Sequence, residues 1–301
     1  MDYFLTTQLI FPYRFSESVL FPSLYGPVTF LNSIIPRQMA HSQKLDTVPH
    51  VTEELRELNN VFPDACVAVH LKSITPEGFS VASDFWREAL TCKHLTPRLG
   101  ELVLLALHAS ITSLDSHAIP RHVNRAISAG ATSSDIMDVL LSIVGVSNHA
   151  LYAAVPILMD ELKAFGKDEP FPEETASIKK IKDEFIRKRG FWSEQRDVLA
   201  QCMPGYFSAL SALSVEPWNS GSLSPREREL IYIAIDSSVT HMYAAGLRLH
   251  IRRALEAGAS RDEILEVFQL VAVTGLEGYI LGAQTLYENS SSKSDVPSRT
   301  K

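Results

Sequence analysis

A glutamate, a histidine and an arginine recur at one spacing in two places along this chain. The first set is Glu101, His122 and Arg125; the second is Glu229, His250 and Arg253. Each member of the second set lies 128 positions after its counterpart (229 − 101, 250 − 122, 253 − 125). The arginine follows the histidine by three, so both project from one side of a helix. A histidine beside an arginine and a buried carboxylate can bind an acidic substrate and move its proton. Seven residues after each glutamate, on the same helical face, stand His108 and Asp236. A structural reading stays open beside the chemical one. Each glutamate can tie down a helix end or pair with an arginine, and each histidine can simply pack against a helix end.

The elements that must position these groups repeat with them. Residues 95–136 read LTPRLGELVLLALHASITSLDSHAIPRHVNRAISAGATSSDI, and residues 223–264 read LSPRERELIYIAIDSSVTHMYAAGLRLHIRRALEAGASRDEI. The two align without a gap, and the offset holds outward from Pro76 and Pro204 to Val139 and Val267. One helical unit is used twice. Thr96 and Ser224 stand at N-caps, each followed by proline. Capping boxes are expected at Thr132–Asp135, Ser224–Glu227 and Ser260–Glu263, with helix-ending glycines at Gly130 and Gly258. Further helices are expected over Val51–Phe62 and Glu77–Leu90, and the fourth helices of the copies over about Ser147–Phe165 and Gly275–Glu288. No segment alternates with strand period, so the fold class is all-α. The helix over Thr96–Ile111 is apolar nearly all round and must be buried. A carboxylate on it needs a partner or a shifted pKa.

Composition bounds the rest. A chain of 301 residues with 46% hydrophobic and 21% charged residues can build a large core. Its net charge of −7 carries no nucleic-acid footprint. Cys66, Cys92 and Cys202 are scattered, which fits a reducing compartment rather than a disulfide framework. A cytoplasmic location is expected. Arg14 and Arg37 in an acid-poor N-terminal stretch leave a mitochondrial one as the weaker alternative. No apolar run approaches membrane-spanning length. No metal is expected, because no two histidines share a helix face at i, i+4 and the cysteines are isolated. The divisions read as an irregular arm over 1–50, a first unit over 51–165, a linker and helix over 166–190, a second unit over 191–288 and a disordered tail over 289–301. The charge run SIKKIKDEFIRKRG before Gly190 reads as a solvated face.

LSPRERELI and LRLHIRRALEAGASRDEI, with their weaker upstream copies, resemble the carboxymuconolactone decarboxylase and alkylhydroperoxidase D-like family over residues 76–160 and 204–288. The resemblance implies two tandem alkylhydroperoxidase D-like helical units about a pseudo-two-fold axis, and a homo-oligomer. The family's peroxidase branch carries Cys-x-x-Cys seven and four residues before the histidine, where a helix N-terminus would stabilise a thiolate. This chain has Tyr243 and Gly246 there in the second copy, and Asp115 and Ala118 in the first. Both thiols are missing from both copies.

What remains resembles the decarboxylase branch, which uses no metal or organic cofactor. The resemblance implies catalytic roles for His250, Glu229 and Tyr243, with His122 and Glu101 as their first-copy equivalents. His250, with its imidazolium favoured by Glu229, would be the general acid, and Tyr243 would donate to a developing oxyanion. Arg253 or Arg248 would hold a substrate carboxylate. Asp236 in the second copy, and Asp115 and His117 in the first, would complete the binding surfaces. The expected function is a cofactor-free lyase, a decarboxylase or isomerase, acting on a small cyclic carboxylic acid or lactone. The expected partner is that small molecule, with neither nucleic acid nor membrane. Two alternatives stand: an alkylhydroperoxidase D-type, peroxiredoxin-like oxidoreductase using a non-motif thiol, and a non-catalytic scaffold. A pocket at Glu229 and His250 separates the lyase from the scaffold.

Overall fold

The computed structural model describes Phe62, residues 65–170 and residues 173–294. The arm expected over 1–50, all but the last residue of the helix expected at Val51–Phe62, and residues 295–301 of the expected tail lie outside them. Helices follow one another as α1 (Ala65–Ile74), α2 (Pro76–Leu90), α3 (Pro97–Ala109), α4 (Ala118–Ser128), α5 (Ser133–Ile143) and α6 (His149–Ala164). After a loop come α7 (Ala176–Arg189), α8 (Glu194–Cys202), α9 (Pro204–Asn219), α10 (Pro225–Ser237), α11 (Ala244–Glu256), α12 (Arg261–Val273) and α13 (Glu277–Ser294). Short 3-10 turns at Val144–Asn148 and Thr274–Leu276 join α5 to α6 and α12 to α13. There is no strand among the described residues. The fold is all-α.

The local signals act as the sequence requires. Thr96 and Ser224 accept from the backbone N–H groups of Leu99 and Glu227, and proline opens each helix. All three capping boxes form. Gly130 and Gly258 take φ of 92° and 88°, which a side chain would resist. Helices α3 and α10 pack on each other at the centre, and every residue from Leu99 to His108 and from Arg228 to Asp236 is buried. Each buried Leu or Ile there is worth about 1.5–3 kcal/mol. That burial holds the two carboxylate-bearing helices rigid.

The copies are interleaved. Helix α2 of the first packs on α12 of the second, and α9 of the second packs on α5 of the first. Likewise α1 packs on α13, and α8 packs on α6. Each of these contacts has its counterpart at the 128-residue offset, as a pseudo-two-fold relation requires. Polar contacts follow the same exchange. Glu266 on α12 accepts from the backbone N–H groups of Lys93, His94 and Leu95 at 2.7–3.0 Å, just ahead of α3. Asp138 on α5 accepts from Leu223 N–H at 2.9 Å, just ahead of α10, and pairs with the buried Arg228 guanidinium. Arg98 bridges Asp135 of its own copy and Glu227 of the other.

Three expectations need correction. Helix α13 runs on to Ser294, past the end expected at Glu288. The charged helix α7 is not only a wet face, because Arg189 at its end is 6% exposed beside buried Ile178 and Phe185. By length and composition alone, residues 133–164 and 261–290 pass for membrane spans. Their apolar residues Ile136, Val139, Ile264 and Val267 serve the core instead.

Candidate functional site

Glu229, on the buried helix α10, reaches across to α11. Its two oxygens take His250 Nδ1 at 2.6 Å and Arg253 Nε at 2.9 Å. With Glu229 ionised, His250 Nδ1 carries the proton and Nε2 presents its lone pair. That Nε2 lies 3.8 Å from Asp236 Oδ2, one turn pair further along α10. Asp236 Oδ2 is buried without a hydrogen-bond partner. Burial first, and the Glu229 charge second, push the Asp236 carboxyl up to about 8. It is a protonated acid at neutral pH.

A tight turn brings Tyr243 to the same place. Ser238 O accepts from both His241 and Met242 N–H, and Tyr243 N–H returns to Asp236 O at 2.8 Å. Met242 holds φ of 47°, a left-handed conformation that costs a non-glycine residue of order 1 kcal/mol or more. Leu114 repeats it at 48° in the first copy. Gly246 then lets α11 approach, since a Cβ there would sit 2.1 Å from Asp236 Oδ2 and 2.6 Å from the Tyr243 ring.

The first copy completes the site. His149, at the start of α6, stacks on Tyr243 at 4.1 Å and meets His241 Nε2 at 2.7 Å through its Nδ1. Burial holds His149 down to about 4, so it is neutral. Arg189 enters from the end of α7 and Arg196 from α8. Arg196 is 8% exposed, lies over the Phe185 ring at 4.1 Å, and keeps Nε and Nη1 buried without an acceptor. Between these groups is a cavity of about 270 Å³, walled by His250, Asp236, Tyr243, His149, Arg189 and Arg196 among others. It is the size of a one-ring ligand.

The carboxymuconolactone decarboxylase family model matches residues 204–278, which contain α9 to α12. A solved structure from Burkholderia xenovorans LB400, provisionally named a gamma-carboxymuconolactone decarboxylase subunit, is 32% identical to this chain. The match covers 80% of this chain and 97% of that one, with a TM-score of 0.73. The chain belongs to the carboxymuconolactone decarboxylase family. No curated protein matches it.

Within this family frame the sequence-derived residues divide. Glu229, His250, Asp236 and Tyr243 come together at one cavity, with Glu229 behind His250 rather than on the wall. Arg253 does not face the cavity; it holds Glu229, and its guanidinium lies 5.8 Å from the Trp218 ring centroid. Arg248 is exposed on the outer side of α11. The expected imidazolium at His250 is also corrected. Desolvation outweighs the Glu229 contact, Arg189 and Arg253 add to it, and the His250 pKa falls. His250 is therefore held toward its neutral form, and Asp236 toward its protonated one. The thiols stand apart: Cys66, Cys92 and Cys202 line no part of this cavity, and burial raises Cys92 to about 11.

The first copy of this family member repeats the inner contacts and fills the space. Glu101 takes His122 Nδ1 at 2.9 Å and Arg125 Nε at 2.7 Å. Where the second-copy site has Asp236 and His149, the first-copy site has His108 and Glu277, an acid and a histidine with their places exchanged. Arg121 pairs with Glu277 and sits 5.8 Å over Trp86, where the second copy has Leu249 and Ser214. The remaining void beside Trp86 is about 20 Å³. Asp115 spends Oδ1 on the His117 and Ala118 N–H groups that start α4, and His117 is exposed.

Sequence reading missed His149, His241, Arg189 and Arg196. The one available signal was positional: His149 and Glu277 are polar residues at the repeat offset (277 − 149 = 128), each at the start of a helix. Arg189 and Arg196 flank the aromatic pair Phe191–Trp192, but the charged run around them does not say which side chains the fold buries.

Proposed function

We propose that this protein is a cofactor-free lyase, a decarboxylase or isomerase, acting on a small cyclic carboxylic acid or lactone in the second-copy cavity. The observation that carries the reading is a buried carboxyl without a hydrogen-bond partner, Asp236, lining one cavity of about 270 Å³ together with two buried arginines, Arg189 and Arg196. Arg189 and Arg196, the two arginines on the cavity wall, hold the substrate carboxylate. In decarboxylation the carbon–carboxylate bond breaks, carbon dioxide leaves, and the electron pair passes into the ring carbonyl as an enolate. Tyr243 stays protonated, because burial and Asp236 raise its pKa, and it donates to that oxygen. Asp236 delivers its proton to the carbanionic carbon and is recharged from solvent. Neutral His250, fixed through Nδ1 by Glu229, presents Nε2 3.8 Å from Asp236 Oδ2, where it can take up a substrate proton. An isomerase would use the same pair, His250 taking a proton and Asp236 returning one.

Self-association belongs to the same proposal. The Burkholderia relative is named a subunit, and Met137, Ile157 and Leu158 form exposed apolar surface on α5 and α6. A cytoplasmic setting belongs to it too, supported by three cysteines scattered without paired spacing.

The test is turnover and binding against a panel of lactones and cyclic carboxylic acids, read by carbon dioxide release and ultraviolet absorbance. At least one acid should turn over. Asp236→Asn should slow it by about 10²–10⁴-fold while the thermal melt stays intact. A folded protein that neither binds nor converts any acid supports the scaffold instead.

A further inference from the structure

The first-copy cluster plays no part in that chemistry, yet it leaves four buried polar atoms without a hydrogen-bond partner. They are His108 Nδ1 and Nε2, His122 Nε2 and Glu277 Oε2. His108 comes from α3, His122 from α4 and Glu277 from the start of α13, at 1%, 0% and 8% exposure. One ligating atom of each lies within 4.8 Å of the other two. Glu101 at 2.9 Å takes the proton of His122 Nδ1, so Nε2 points a bare lone pair into the cluster. A metal-ligating histidine is held in this way, one nitrogen on a carboxylate and the other free.

We propose that the first copy binds a divalent transition-metal ion through His122 Nε2, a ring nitrogen of His108 and Glu277 Oε2. Two imidazoles and one carboxylate suit Zn²⁺ and its neighbours, not Mg²⁺ or Ca²⁺, which take all-oxygen shells. Arg121 pairs with the other carboxylate oxygen, Oε1, which also lies 3.4 Å from His108 Nε2, and Oε2 is left without a hydrogen-bond partner. The charge around the cluster favours a cation, because Glu101, Asp115 and Glu277 outnumber Arg121 and Arg125. The second copy brings His149, Asp236 and His241 equally close. There the arginines Arg189, Arg196 and Arg253 outnumber Glu229 and Asp236, and the site suits an anion. Sequence spacing gave no metal signal because the three ligands come from three helices.

The experiment uses the full chain, stripped with a chelator and titrated with Co²⁺ or Zn²⁺. One equivalent of Co²⁺ should bind with visible d–d absorption, and Zn²⁺ should raise the melting temperature in proportion to the logarithm of its concentration. His108→Ala and Glu277→Gln should each weaken Co²⁺ binding about 10–100-fold or more, and His241→Ala should leave it unchanged. Failure of the stripped, folded wild type to bind Co²⁺ overturns the proposal. So does binding that disappears in His241→Ala. Should a first-copy variant unfold, the spectrum and melting shift of wild type against His241→Ala still decide between the two clusters.

Discussion

Burial and the Glu229 carboxylate lift Asp236 to about 8 from the ordinary 3.8. The folded state therefore keeps a proton that the unfolded chain releases above pH 4. Its stabilising contribution is complete below the unfolded value and is lost as pH rises through about 8, with a slope of at most ~1.4 kcal/mol per pH unit for one proton. Asp236→Asn should flatten that slope in chemical denaturation between pH 5 and 8. Turnover of the wild type should fall on the alkaline side of pH 8, where the acid is spent. His250→Gln should remove most turnover and His122→Gln much less, each read against its thermal melt. Full activity in His250→Gln would return that histidine to a packing role. The Glu229–His250–Arg253 constellation was legible because a helix spacing of three and an exact repeat tie the residues together. The arginines that oppose Asp236 were not, since nothing in a charged segment tells which of its side chains the fold will bury. The direction of the His250 shift was misread for the same reason: a partner is visible in sequence, and desolvation is not.

Among the elements, the turn from Ser238 to Tyr243 and the first turn of α11 set the precision of the site. Gly246 is the point of closest approach. Gly246→Ala should displace Asp236 or Tyr243 and reduce turnover about 100-fold, the cost of roughly 1 Å of misplacement. Circular dichroism should stay helical, because α11 tolerates alanine well. A variant with wild-type turnover would show that Asp236 is not held where the chemistry needs it. The caps and helix-ending glycines that frame these elements were readable as short-range chemistry. The pairing of α1 with α8 was not. Their positions match at the repeat offset (65 + 128 = 193), but ACVAVHLKSI and SEQRDVLAQC share almost nothing. Each needs only to cover the neighbouring copy, a demand many sequences meet.

For the molecule as a whole, interleaving makes the two copies one cooperative body. Superposing residues 65–164 on residues 193–292 should match helix for helix, and the melt should show one transition rather than two. Glu266→Ala removes the acceptor for three backbone N–H groups and should cost about 2–4 kcal/mol without splitting that transition. Two separate steps would mean that the copies fold independently.

The position of Glu266 has a consequence during synthesis. Leu95 waits for a partner that is made 171 residues later. At about 5–20 residues per second that interval is of the order of 10–30 s. During it the backbone N–H groups just ahead of α3 lack their Glu266 acceptor, and the surfaces that α12 and α13 will cover are still open. Ribosome-bound chains stalled before residue 266 should be cut by protease near Lys93, and chains stalled well beyond it should resist.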